Sequence, residues 1–348
     1  MNHKRGIFPA RKISMRHNRS LIVVVISIAI VPLLVFGLGG CAGAQRPATA
    51  SVAAIDSGEA RIIVTRNFGR DLMIDELIKL GNDTSAMEAL KQVAEIETSY
   101  GDGFVEAVNG VSSRYDGSNS ARSDWFIYLN GIQTDVGALD YTLYPGDIEH
   151  WDFRDWRFHH FVPAIIGAFP EPFLHGYEGD VRPVLVVYQD NLEEEAETLA
   201  GHLLRLGVVD VAIADFAHLN DGDKESANII LLGDMNFEPV AELNDVWKRL
   251  GFYACFAEGK LQVFDCQGEL AAEHSAGSGL IQATQNPWNP DGIGACENVV
   301  WMVSGVDAQG VKTAVEVLVN HYSEIQYGCA AVIAEGEISK IPTVGALN

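Results

Sequence analysis

Two stretches of this sequence hold residue types whose spacing suits chemistry. Leu38-Gly39-Gly40-Cys41 sets a thiol directly behind small residues. Small residues let a chain extend into a signal peptidase, and the thiol is then open to alkylation by diacylglycerol. Cleavage would leave Cys41 as the first residue of the mature chain, so Cys41 is the candidate lipidation site. The second stretch, Trp151-Asp152-Phe153-Arg154-Asp155-Trp156-Arg157-Phe158-His159-His160, is the densest run of aromatic and histidine residues. Its imidazoles are of a type that ligates metals. Adjacent residues on an extended segment point to opposite sides, so the pair does not chelate one ion and no metal site is assigned. Asp234, Glu297 and Asp307 are acids with no partner at any recognisable spacing, and no Gly-X-Ser-X-Gly, His-Glu-X-X-His or Walker-type pattern occurs. The chain is therefore expected to bind rather than to catalyse, with no catalytic residues and no cofactor.

The leader gives Cys41 its context. Residues 1–40 contain six Lys or Arg and no Asp or Glu, and end in an uncharged run from Leu21 to Gly40. A basic start and an apolar run define a signal peptide, and the residues before Cys41 resemble a lipobox. The run is also about long enough to cross a bilayer, since ~20 apolar residues suffice. A plain signal anchor is thus the competing reading, and Met15 is an alternative start. Two acyl chains hold a protein at a membrane far better than one, because each buried CH₂ contributes ~0.8 kcal/mol. The expected location is extracytoplasmic, lipid-anchored to the cell membrane.

Without the leader, the 24 basic residues fall by six to 18 against 47 acidic ones, a net charge of 18 − 47 = −29. A chain this acidic has no basic footprint for nucleic acid. Cys255, Cys266, Cys296 and Cys329 match no zinc spacing, and export would permit disulfides of undetermined pairing. Residues 41–58, small and polar without apolar periodicity, read as a flexible tether.

The remaining length suggests two domains. The first, 59–158, shows a strand at Arg61–Arg66, another near Leu72–Leu80, and an amphipathic helix capped at Thr84 or Ser85. Short strands follow at Phe104–Val108, Trp125–Leu129 and Ile148–Phe153, with turns at Asn109-Gly110, Asn130-Gly131 and Pro145-Gly146-Asp147. A sheet clasping one helix is an α+β pattern. A linker rich in Pro, Gly and aromatics, 159–180, separates it from a second domain, 181–348. There strands (Val184–Tyr188, Val208–Ala214, Asn228–Leu232, Val299–Val303) alternate with helices (Leu192–Leu206, Val240–Leu250, Val311–Val319) around a hairpin turned at Glu258-Gly259. That predicts an α/β layered domain with a mostly parallel sheet. Gly233-Asp234 and Gly305-Val306-Asp307 fall at strand C-termini, where open sheets bind ligands. Asn286-Pro287-Trp288-Asn289-Pro290-Asp291-Gly292 reads as a rigid contact loop or an edge loop folded back on the sheet.

From Ile62 to Trp156 the fragments Thr84-Ser85-Ala86-Met87-Glu88-Ala89-Leu90, Gly103 to Val111, Trp125-Phe126-Ile127-Tyr128-Leu129-Asn130-Gly131, Gly137-Ala138-Leu139-Asp140-Tyr141 and Pro145-Gly146-Asp147-Ile148-Glu149 occur in order. Together they resemble the bacterial family related to the C-terminal domain of transcobalamin and intrinsic factor. The resemblance implies a β-grasp-like domain that binds cobalamin or another corrinoid, with Phe104, Trp125, Gly137, Tyr141 and Trp156 as the ligand-binding residues. Aromatic faces suit a broad apolar plate, and backbone exposed at a glycine suits its fringe of amides. The helical toroid that encloses cobalamin in transcobalamin is absent, and Tyr115–Arg122 is an irregular insertion, so the ligand would be half open. The function this implies is uptake, with a membrane transporter as partner. The alternative is a cell-surface module that contacts protein or glycan without a small ligand.

Overall fold

The computed structural model describes residues 11–12, 58–115 and 122–344. The leader apart from Arg11–Lys12, the lipidation site Cys41, and the tether apart from Gly58 lie outside the described residues. The fold is mixed α/β and rich in sheet. In chain order the first half contains β1 (Arg11–Lys12), β2 (Glu59–Arg66), β3 (Asp71–Lys79), α1 (Ala86–Val93), β4 (Ile96–Ser99), β5 (Phe104–Val108), β6 (Val111–Ser112), β7 (Arg114–Tyr115), β8 (Arg122–Leu129), β9 (Ile132–Gln133) and β10 (Ile148–Asp155). The second contains β11 (Val184–Tyr188), α2 (Glu193–Leu206), β12 (Val211–Asp215), α3 (Asp221–Ser226), β13 (Asn228–Asp234), α4 (Glu238–Asp245), β14 (Ala254–Ala257), β15 (Lys260–Phe264), β16 (Leu270–His274), β17 (Gly279–Gln285), β18 (Val299–Gly305), α5 (Ala308–Asn320), β19 (Ala330–Ala334) and β20 (Glu337–Ile341).

The first sheet runs β3-β2-β10-β8-β7, with β9 paired to β8. Its first and last long strands, β2 and β10, lie parallel at the centre, and the flanking pairs are antiparallel. Helix α1 covers one face. Ser85 caps it through a reciprocal capping box with Glu88, and Ala86, Met87, Ala89 and Leu90 turn its apolar side onto Ala60, Ile62, Val64, Trp125 and Trp151. Asn109-Gly110 and Asn130-Gly131 both place two residues at positive φ, the geometry that two-residue hairpins need.

The sheet of the second half runs β1-β12-β11-β13-β18-β17-β19-β20. It is mixed rather than mostly parallel. Strands β12, β11, β13 and β18 are parallel, but β17, β19 and β20 add antiparallel neighbours and β1 pairs antiparallel on the far edge. Strand β17 escapes the hydrophobic pattern because Gln282, Thr284 and Gln285, polar but buried, interrupt its apolar run.

The other face of the first sheet packs on the second half. Segment 162–177 is buried between them (Ala164, Ile166, Phe169, Phe173, Tyr177), and through it one apolar core continues from the first sheet into α2 and α5. The backbones approach closely here. A methyl group at Gly167 would lie 2.3 Å from the Gly328 nitrogen, and Gly69, at φ +76°, would place one 1.8 Å from the Tyr327 carbonyl oxygen.

The aromatic and basic clefts beside Trp156

Strand β10 alternates sharply. Trp151 and Phe153 face α1, whereas His150, Asp152 and Arg154 are buried against the second half. Asp152 accepts from the Thr65 hydroxyl (2.8 Å) and from the backbone N–H groups of Phe68 (3.1 Å) and Gly69 (3.2 Å). Because that hydroxyl has given its one hydrogen to Asp152, His150 Nε2 donates to Thr65 Oγ1 at 2.7 Å. Burial pulls His150 down to about 3, so it is neutral. Arg154 lies flat on the Phe126 ring, 3.7 Å from its centre, and donates to the His159 carbonyl at 2.9 Å. The guanidinium thereby fixes the chain leaving β10.

That chain, residues 155–161, is a ridge between two clefts. On one side a cleft of about 580 Å³ is lined by Arg66, Arg114 and Arg157 with Ser112, Ser123 and Phe153. Arg157 is held by Asp155 (2.5 Å) and Arg66 lies 3.8 Å from Asp71, while Arg114 makes no ion pair with a described residue. On the other side a more open cleft of about 720 Å³ is lined by Trp156, Phe126, His159, His160, Phe161, Lys248 and Arg249, with Asp124 its one acid. Tyr115 stacks on Trp156 with ring centres 5.9 Å apart, and the Arg122 guanidinium lies 5.3 Å from the Trp156 ring centre. His159 donates from Nε2 to the Phe252 carbonyl (2.9 Å), and burial brings it down to about 4, leaving a neutral ring whose Nδ1 is an acceptor. Arg66, Arg114, Arg157, Lys248 and Arg249 line these clefts, five of the 18 basic residues beyond Gly40 in a strongly acidic chain. The arrangement can hold an anion and offer a flat apolar face beside it.

The five residues singled out for ligand contact do not meet in one cavity. Trp156 lines the open cleft. Trp125 is buried, donating from Nε1 to the Val111 carbonyl (3.0 Å) and packed 5.2 Å from Phe153. Tyr141 is fully buried against Tyr177, and its hydroxyl accepts from the Glu178 N–H (3.0 Å). Phe104 is exposed on the small β4-β5-β6 sheet, edge-on to Tyr100, and Gly137 is exposed in a turn close to the Gly103 carbonyl. Arg66, Arg114, Lys248 and Arg249 were not legible as site residues because three separate segments supply them. The Trp151–His160 run was the one signal for this region.

At the C-terminal ends of the parallel strands, Asp234 donates its backbone N–H to Gln189 Oε1 (2.9 Å), and Asp307 caps α5 by accepting from the Gly310 N–H (2.9 Å). The Trp288 loop folds back, its indole donating to Glu242 (2.9 Å). Cys255, Cys266, Cys296 and Cys329 are all buried and unbridged. Among the described residues no group of three His, Cys, Asp or Glu stands ready to hold a metal ion, and no helix is long and apolar enough to cross a membrane.

Residues 83–155, from just before α1 to the end of β10, match DUF4430, a domain of unknown function. No curated protein matches the chain. Among solved structures, a Ruminococcus gnavus ATCC 29149 protein described as a "putative metal binding protein" is 16% identical, with a TM-score of 0.22. The match covers 98% of that protein and 28% of this chain.

Proposed function

We propose that this chain is an extracytoplasmic binding protein, lipid-anchored through Cys41, that takes a ligand with a flat apolar face and an anionic group in the clefts beside Trp156. The observation that carries the reading is the concentration of cationic side chains around the Tyr115–Trp156–Arg122 stack in an otherwise acidic chain. A corrinoid is the ligand the transcobalamin-like fragments suggest, since it combines an apolar plate with amides and a phosphodiester. Parallel β2 and β10 beneath a single helix support a β-grasp-like reading of the first half. A membrane transporter would then receive the ligand.

Titration of the purified protein with cyanocobalamin, followed by Trp fluorescence and the corrin spectrum, tests this. Saturable change is expected, weakened about tenfold by Trp156→Ala through loss of roughly 1.4 kcal/mol of stacking, and little affected by Trp288→Ala. No change at high micromolar ligand would exclude the corrinoid.

A second reading, contact with protein or glycan, is favoured by the Tyr100–Phe104 pair, where Tyr100 is 92% exposed. Under it, Tyr100→Ala with Phe104→Ala would abolish capture of the partner while leaving the Trp156 clefts unchanged.

A further inference from the structure

A third cleft, of about 430 Å³, opens at the seam between the two halves, far along β10 from Trp156. Ile63 and Ile148 from the first sheet, Phe169 and Leu174 from the buried segment, Leu206 from the end of α2 and Tyr322 make its apolar wall. Cavities of this size at domain junctions are where small molecules bind, the usual range being roughly 300–1,000 Å³.

Its charges can be balanced one by one. Arg61 is committed to Asp75 through two bonds of 2.7 Å, and the Tyr327 hydroxyl adds a third hydrogen bond to that carboxylate (2.6 Å). Glu171, buried, takes both the His175 backbone N–H (3.0 Å) and His175 Nδ1 (2.5 Å). This pairing raises the imidazole's affinity for its proton. Each acid is therefore matched by a base. Arg205 remains, exposed at the rim and without an ion pair among the described residues. An additional cation would find no free carboxylate, whereas an anion would find Arg205.

We infer that this seam binds a small amphipathic monoanion, an aliphatic or aromatic body seated on Ile63, Ile148, Phe169 and Tyr322 with its head group on Arg205. The site is independent of the Trp156 clefts, and its ligand touches both halves of the molecule.

Equilibrium dialysis of the purified protein with radiolabelled decanoate tests the inference. Saturable binding is expected, with decanol competing about tenfold less well than unlabelled decanoate, since one charge-assisted contact is worth roughly 1.4 kcal/mol or more. Arg205→Glu, a surface change that leaves the fold intact, should weaken binding by at least that factor. Leu206→Trp should block it by filling the wall, while Trp156→Ala should have no effect. Non-saturable uptake, equal competition by decanol, or unchanged binding to both Arg205→Glu and Leu206→Trp would overturn the proposal.

Discussion

His159 offers a quantitative test of how tightly the ridge beside Trp156 is packed. Its ring is buried and donates to the Phe252 carbonyl, and burial, with the nearby cations Arg154 and Lys248 adding to it, brings its pKa to about 4. In the unfolded chain the value is the ordinary ~6.5. Between those values the unfolded state takes up a proton that the folded state refuses, so stability is lost as pH falls through 6.5 and the loss is complete near 4. One proton is worth about 1.36 kcal/mol per pH unit, which makes the loss about 2.5 kcal/mol between pH 7.5 and pH 4.5. His159→Gln keeps an N–H for the Phe252 carbonyl and removes the titration. Urea unfolding of both proteins across that range should show the wild type losing about 2.5 kcal/mol relative to the variant, whatever other groups titrate in common. A difference that stays constant to within about 0.5 kcal/mol would mean that His159 is open to water in the folded state.

Other perturbations address the seam and the anchor. Gly167→Val should destabilise the chain by about 2–3 kcal/mol, because its side chain would meet the Tyr327–Gly328 backbone, and an unchanged urea midpoint would show that the halves can separate there at no cost. Asp152→Ala should cost about 3 kcal/mol by orphaning the Phe68 and Gly69 N–H groups, with Asp152→Asn intermediate because an amide oxygen still accepts, and equal effects of the two would refute this ordering. Mass spectrometry of the wild-type N-terminus should find a diacylglyceryl Cys41, and Cys41→Ser should leave the precursor uncleaved. An intact, unmodified Gly40-Cys41 bond in the wild type would refute lipidation.

Local signals were legible where side chains act on their own backbone. Ser85, one of the two candidate caps, opens α1, and Asn109-Gly110, Asn130-Gly131 and Glu258-Gly259 announce hairpins, each with its two residues at positive φ. Glu335-Gly336 is a turn of the same kind, and it could have revealed β19 and β20. Strand β17 could not be read, because Gln282, Thr284 and Gln285 look solvent-facing in sequence and are buried only by their neighbours in the sheet. The same limit applies to the clefts. Trp125 and Tyr141 are aromatic in the expected places but spend their polar atoms on backbone groups inside the core, whereas the arginines that face solvent come from distant segments joined by the sheet.

The buried polar face of the first sheet links these observations. An apolar face would have docked on the second half with fewer desolvation penalties, since burying a charge costs several kcal/mol before its partners compensate. Here Asp152 binds the turn at Phe68–Gly69, and Arg154 binds the chain at His159. Each contact ties β10 to a segment lining a cleft: Phe68 to the three-arginine side, His159 to the Trp156 side. Directional hydrogen bonds set the position of those segments in a way that apolar contact, which tolerates sliding, does not. A site built from widely separated chain segments needs that precision, because cations a few ångströms out of place would not converge on a ligand. The desolvation cost in the seam is thus offset by the fixed spacing of the charges outside it.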